Sequence, residues 1–402
     1  MGMSFPGRRN IMKKLISLTL AAAMTMSLLA GCGSNSSAGT DSADASAETF
    51  KIGGIGPITG AGAVYGIAVK NGAELAIKEI NEAGGINGYQ IEYNFQDDEL
   101  DNEKSVNAYN TLKDWGMNML VGSVTSGCCV AVAAESKNDN MFQITPSGSS
   151  VDCIEGNDNV FQVCFTDPNQ GVGAADYIGE NNLASKVAVI YDSSDVYSSG
   201  IYAKFKEEAA TQNFEIVSEE AFTADNKTDF SVQLGKIKDS GAELLFLPNY
   251  YSDNALILQQ AHDLGLDVKI FGVDGMDGIL NVENFDTSLA EGVMLLTPFS
   301  ATGDDEATVK FVKAYGDANN GETPNQFAAD AYDVIYAMKA AADDAGITPD
   351  MSNEDISAAL SASMLNITVN GLTGEAKWTE DGECDKAPKA YVIKDGVYAS
   401  ME

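Results

Sequence analysis

Short β-rich runs alternate with segments of 3.6-residue period along nearly the whole chain, and this alternation restricts the fold more than any other property. FKIGGIG (50–56) reads as a strand, and YGIAVKNGAELAIKEINEAGG (65–85) spaces its apolar residues as a helix does before closing on two glycines. Strand YQIEYNFQ, a helix over 102–116 with Asp101 as N-cap, strand NMLVG, a helix over 128–138 and strand MFQIT follow. The order βαβαβαβ calls for a parallel sheet with helices on both faces, because parallel neighbours need crossover connections. From about residue 168 the pattern restarts: helix 168–181, KVAVIY, helix 196–212, FEIVSEEAF, helix 228–239, ELLFLP, helix 253–264 and KIFGV. Two such units in tandem predict an α/β protein of two doubly wound lobes with parallel sheets.

The remainder comprises EGVMLLTPF, helices over 305–316, 325–343 and about 353–361, and the hairpin-like GLTGEAKWTEDGE and AYVIKDGVY. It is too small for a third domain and is expected to return and complete the two lobes. The expected division is 50–167 plus 298–375 for lobe 1 and 168–297 plus 376–402 for lobe 2.

Ahead of this body, Lys13-Lys14 precede the apolar run LISLTLAAAMTMSLLA, then Gly31-Cys32. Those are the charged, hydrophobic and small-residue zones of an export signal, with no basic flank to stop transfer. LLAGC resembles the bacterial lipobox, which makes residues 1–31 a lipoprotein signal peptide and Cys32 the lipidated residue. Residues 32–49 continue as GSNSSAGTDSADASAET after the cysteine, without a large apolar side chain, and read as a flexible tether. The chain is expected outside the cytoplasm, anchored by lipid to the cell membrane.

Charge and rare residues exclude several functions. With 59 acidic against 24 basic residues, the formal net charge is -35, and such a surface repels nucleic acid. His262, the single histidine, lies in the helical pattern LILQQAHDLGL, so a Ser-His-Asp or Cys-His catalytic arrangement is disfavoured, and no catalytic residue is assigned. Cys128, Cys129, Cys153, Cys164 and Cys384 form no C-x-x-C spacing, and the acid clusters QDDELDNEK and GVDGMDG do not match a calcium loop, so no metal is expected. After the first strand, GGIGPITGAG breaks the dinucleotide fingerprint: Thr59 stands at its third glycine, and Pro57 removes a backbone donor. No cofactor is expected.

What remains is a cleft chemistry. Ligands of open α/β sheets bind beyond the carboxyl ends of the strands. Three loops there, PITGAGAVYG, GSVTSGCC and TPSGSS, offer hydroxyls and free backbone N–H groups, an anion site without formal charge. That suits one carboxylate, since a dicarboxylate or phosphate would recruit arginine, and both arginines, Arg8 and Arg9, precede the signal's apolar run. Tyr197, Tyr250 and Asp274 each follow a strand in the second unit, where one acid can neutralise an ammonium. Carboxylate contacts on one side and ammonium contacts on the other describe an α-amino acid.

At these residues the chain resembles the branched-chain amino-acid binding proteins of ABC importers, which have the type I periplasmic binding protein fold. The likeness runs over residues 50 to about 345 and rests on IGPITGAGAVYGIAVKNGAELAIKEINEAGGINGYQIEYNFQDDE, VGSVTSG, QITPSGSS, VFQVCFTDPNQG, NYYSDNALILQQAHDLGL and FGVDGMDG. It implies two lobes joined by three crossovers and closing about a hinge, with an ABC permease as membrane partner and a monomer in solution. It further implies that Ser126 and Ser149 contact the ligand carboxylate through hydroxyls and Ser147 through its backbone. Tyr250 and Asp274 would hold the ammonium, and Tyr65, Tyr197 and Phe327 would wall the side-chain pocket. The family usually has threonine at the place of Ser149 and often glutamate at that of Asp274. Some relatives carry a disulfide between the positions of Leu100 and Thr125, and both cysteines are missing here. The same fold would also serve a signalling receptor, or take a small amide or peptide.

Overall fold

The computed structural model describes residues 48–401; the export signal, Cys32 and the tether as far as residue 47 lie outside them. The first unit runs β1 (Phe50–Gly56), α1 (Ala63–Glu82), β2 (Ile91–Asp97), α2 (Asn102–Trp115), β3 (Met119–Val121), α3 (Ser126–Asn138), β4 (Phe142–Thr145) and β5 (Val160–Gln162). Its strands lie in the order β2-β1-β3-β4-β5, and every neighbouring pair is parallel. Strand β5 is absent from the sequence reading: only a 3-10 turn, Val151–Cys153, separates it from β4, so no change of period announces it.

The second unit runs α4 (Asp167–Glu180), β6 (Lys186–Asp192), α5 (Val196–Ala209), β7 (Glu215–Phe222), α6 (Ser231–Ser240), β8 (Leu244–Leu247), α7 (Tyr251–Leu264), β9 (Lys269–Gly272) and β10 (Met294–Thr297). The chain then returns to the first sheet with α8 (Glu306–Ala318), α9 (Gln326–Ala345), α10 (Asn353–Met364) and the small hairpin β11 (Val369–Gly371) and β12 (Gly374–Ala376). It finishes on the second sheet with β13 (Lys389–Lys394) and β14 (Val397–Ser400). That sheet is ordered β14-β13-β10-β9-β8-β6-β7; its five strands from β10 to β7 are parallel, and the terminal hairpin runs antiparallel. The fold is therefore α/β with two doubly wound lobes.

Local chemistry explains the elements. All four residues of β8, LLFL, are fully buried, as a central parallel strand covered on both faces requires. In α1 the buried stripe Tyr65, Val69, Ala73, Ala76 and Ile80 recurs at three- and four-residue steps. Asp101 caps α2 by accepting from the Lys104 N–H at 2.9 Å, and Gly116 ends the helix at φ 87°. Helix α1 packs so closely on α9 that a Cβ on Gly72 would stand 2.1 Å from the Ala328 carbonyl oxygen.

The chain passes between the sheets three times: after β5, after β10 and after β12. The first and third of these passages are stitched together. The Trp378 indole N–H donates to the Gln162 carbonyl at 2.7 Å, the Gln162 N–H donates to the Gly382 carbonyl at 3.0 Å, and the Thr166 hydroxyl donates to the Glu383 carboxylate at 3.2 Å. Lys386 is buried beside them and donates to Thr373, whose hydroxyl donates to Asp333. Among the described residues no helix is long and apolar enough to cross a membrane.

Candidate ligand-binding site

The ends of β1, β3 and β4 on one lobe and of β6, β8 and β9 on the other face a common cavity. Its walls are Tyr65, Val124, Thr125, Ser147, Tyr197, Tyr250, Asp274, Gly275 and Phe327, so six of the eight residues anticipated from sequence share one chamber. Ser126 and Ser149 are not among the walls. Ser126 opens α3, where its Oγ accepts the Ser150 N–H at 3.2 Å. The Ser149 hydroxyl is fully buried with no hydrogen-bond partner, and the Ser147 hydroxyl is engaged by the Val124 carbonyl at 2.7 Å.

The aromatic wall is a packed set. Tyr197 stacks on Tyr250 with centroids 4.9 Å apart, and Tyr65 meets Phe327 at 4.3 Å and Tyr250 at 5.7 Å. Tyr65 bridges the lobes: its hydroxyl donates to the Gly275 carbonyl at 2.5 Å and accepts the Tyr251 N–H at 3.0 Å. In return Val64 N–H donates to the Tyr251 hydroxyl at 3.2 Å. The space enclosed is about 10 Å³, room for the centre of one water molecule. A side chain the size of leucine therefore needs the lobes to stand further apart than here.

Asp274 lies just past β9, where the backbone turns into a 3-10 helix at Asp274–Met276. Its Oδ1 accepts the Tyr197 hydroxyl at 2.6 Å, and Tyr197 in turn accepts the Gly275 N–H at 2.8 Å. Burial raises its pKa from 3.8 to about 6, against the relief given by Tyr197, Gln170 and the Gly275 N–H. Gln326, at the start of α9, donates from its side chain to the Asp274 carbonyl at 3.2 Å and from its backbone to Asp277 at 2.8 Å. Helix α9 thus ties its Phe327 to the loop carrying the acid.

Asp167 escaped the sequence reading. In FTDPNQG it reads as an ordinary acid at a helix start with proline beside it, and the structure does put it in the first turn of α4. It is nevertheless buried, and neither carboxyl oxygen has a hydrogen-bond partner. Burial pushes its pKa well above the usual carboxylate range; the nearby Ser149 hydroxyl eases this, and the field of Asp274 adds to it. The neighbouring Gln170 accepts the Asp274 N–H at 3.3 Å while its own amide N–H₂ is unpartnered. Asp274 lines the cavity and no basic residue does; Asp167, near enough to feel the field of Asp274, and the free Ser149 hydroxyl and Gln170 amide stand off the lining. A signal for Asp167 was its place immediately after the first interlobe passage.

Outside the Tyr250 ring, a groove of about 490 Å³ opens between Leu100–Glu103 with Thr125, Gly127 and Cys128 on one lobe and Asp192, Ser194, Asp195, Lys227 and Asp253 on the other. Leu100 and Thr125, the two positions of the missing disulfide, both face it. Burial raises Asp195 to about 6, relieved by the Tyr197 N–H and then the Tyr250 hydroxyl, so Tyr250 presents its polar end to this rim. Five acids against one lysine make the rim attractive to an ammonium and repulsive to anions. The five cysteines among the described residues are buried free thiols; His262 is exposed on α7, and no cluster there has the make-up of a metal site.

Comparison with known proteins agrees with this geometry. The model of the periplasmic binding protein family matches residues 49–395. Leu/Ile/Val-binding protein homolog 3 of Brucella melitensis is 32% identical over 77% of this chain and 82% of its own length. The branched-chain amino acid transporter substrate binding protein LivJ of Streptococcus pneumoniae, solved with isoleucine, superposes with a TM-score of 0.79 at 30% identity, covering 88% of this chain and 98% of that one. A leucine binding protein, LivK, of Thermotoga maritima superposes with a TM-score of 0.80 at 25% identity over 88% and 98%. With a family model spanning the two-lobed body and relatives matched over most of their length, the chain belongs to the periplasmic binding protein family, among the Leu/Ile/Val-binding proteins.

Proposed function

We propose that this chain captures an amino acid with an apolar side chain between its lobes and hands it to an ABC permease. The observation that carries the reading is the cavity itself: serine and helix-start donors on one lobe, Asp274 and Asp167 close by, aromatic rings around them and no base in the lining. The α-carboxylate is received by Ser147, Ser149 and the first turn of α3, whose opening N–H groups have no partner within the helix. The ammonium lies against Asp274 and Asp167, which supports a cation where two buried carboxyls would otherwise repel each other. Tyr65, Tyr197, Tyr250 and Phe327 enclose the side chain. Names and bound ligands of relatives, leucine and isoleucine among them, support an aliphatic guest.

Closure is the transport signal: ligand contacts made by both lobes favour the closed arrangement, and the permease reads that shape. The lipobox resemblance around Cys32 supports attachment of the body to the membrane as a tethered monomer. Calorimetry on protein stripped of bound ligand tests the reading. Leucine, isoleucine or valine should bind with a stoichiometry of one in the cleft; absence of binding by every amino acid overturns it.

A further inference from the structure

On lobe 1, away from the cleft, a second groove of about 550 Å³ lies between α1, α8, α9 and β11. Phe311, Tyr332 and Tyr336 form its floor, with centroids 5.0 Å apart for Phe311–Tyr332 and 4.8 Å for Tyr332–Tyr336. Both tyrosine hydroxyls donate to the same oxygen of Glu79, at 2.5 and 3.0 Å, which aims that half-buried carboxylate into the groove and leaves its second oxygen free of them. Lys310 lines the same groove. Neighbouring lysines on these helices pair with acids, as in Lys70–Glu74, Lys78–Glu82, Lys313–Asp317 and Lys339–Asp343. Glu79 and Lys310 are in no ion pair among the described residues.

An unpaired carboxylate and an unpaired ammonium on the walls of one aromatic groove complement a zwitterion with an apolar body. We infer that this groove is a second, weaker binding site for an apolar or aromatic amino acid. The ligand ammonium sits on Glu79 and over the tyrosine faces, its carboxylate meets Lys310, and its side chain lies on Phe311 and Val369. The site is distinct from the cleft. On α1, Glu79 lies 14 residues beyond Tyr65, about 21 Å along the helix at 1.5 Å per residue. The close approach of Gly72 to Ala328 locks α1 to α9 between them.

Equilibrium dialysis of the purified protein against L-leucine and L-phenylalanine tests this. Two phases are expected, the weaker with a Kd on the order of millimolar, as an open groove and a ligand of few atoms allow. Glu79→Gln should weaken the second phase by about tenfold or more while leaving the first within about twofold. Asp274→Asn should do the reverse, which separates this site from the cleft: in the unaltered protein, a single weak phase that Glu79→Gln abolishes would sink the proposed function and leave the groove standing. N-acetyl-leucine, without the ammonium, should not fill the groove. Saturation at one ligand per chain that Glu79→Gln leaves unchanged overturns the inference, as does a weaker phase indifferent to Glu79→Gln and Lys310→Ala.

Discussion

Asp274→Asn removes a charge while preserving the shape of the side chain and the oxygen that accepts the Tyr197 hydroxyl. An ammonium about 3 Å from the carboxylate, at an effective dielectric of about 20, gains roughly 5 kcal/mol. Part of this offsets the desolvation of the ligand ammonium as it leaves water, about 3 kcal/mol. The difference, about 2 kcal/mol, predicts that Asp274→Asn weakens amino-acid binding about 30-fold. The same reasoning fixes a pH dependence. Ligand ammonium favours the ionised acid, so in the unaltered protein affinity should fall as pH drops through about 6, approaching tenfold per unit below it, and Asp274→Asn should flatten that slope. Calorimetry of leucine binding from about pH 5 to about pH 8 measures both effects. A change below about threefold in the variant, or an undiminished slope, would place the ammonium elsewhere.

Three further outcomes are expected. Asp98, Asp195, Asp274 and Asp277 are each raised by burial to about 6, so the folded chain binds more protons than the unfolded one between about pH 4 and 6, and its stability falls as pH rises across that window; ligand-free protein should melt higher at about pH 5 than at about pH 7. Ser149→Ala deletes a buried hydroxyl that has no partner, so it should leave urea stability level or slightly higher while weakening ligand binding about tenfold, and Ser149→Thr should retain affinity. Gly72→Ala puts a methyl 2.1 Å from the Ala328 oxygen, and forcing α1 from α9 should lower stability by about 1–3 kcal/mol in urea titrations, whereas Gly235→Ala, where nothing lies within 4 Å of the added carbon, should not lower it.

The lobes were legible because parallel strands covered on both faces read as short apolar runs while the crossover helices between them keep a 3.6-residue period, which long segments such as α1 and α9 carry unmistakably. Strand β5 was not, since three residues between turns have no period to show. The end of the chain was legible as a hairpin, but its antiparallel place against β10 depends on a partner nearly a hundred residues away, which local patterning does not encode. In the site, Tyr197, Tyr250 and Asp274 could be found because each closely follows a strand, where open sheets present ligands. Asp167 was hidden by its resemblance to a helix cap: what distinguishes it is burial without a partner, a property of the surroundings and not of its neighbours in sequence. The hydroxyls of Ser126 and Ser147 illustrate the same limit, since both are engaged by backbone groups from other loops.

The stitching of Trp378 and Gly382 to Gln162, and of Glu383 to Thr166, makes neighbouring straps of the first and third interlobe passages. Two bodies whose first and third connections are bonded side by side cannot slide or twist past one another there without tearing those bonds. In the closure proposed above, the guest's binding energy would go into hinge motion, and the gap between the lobe tips would report occupancy to a membrane partner that never touches the guest.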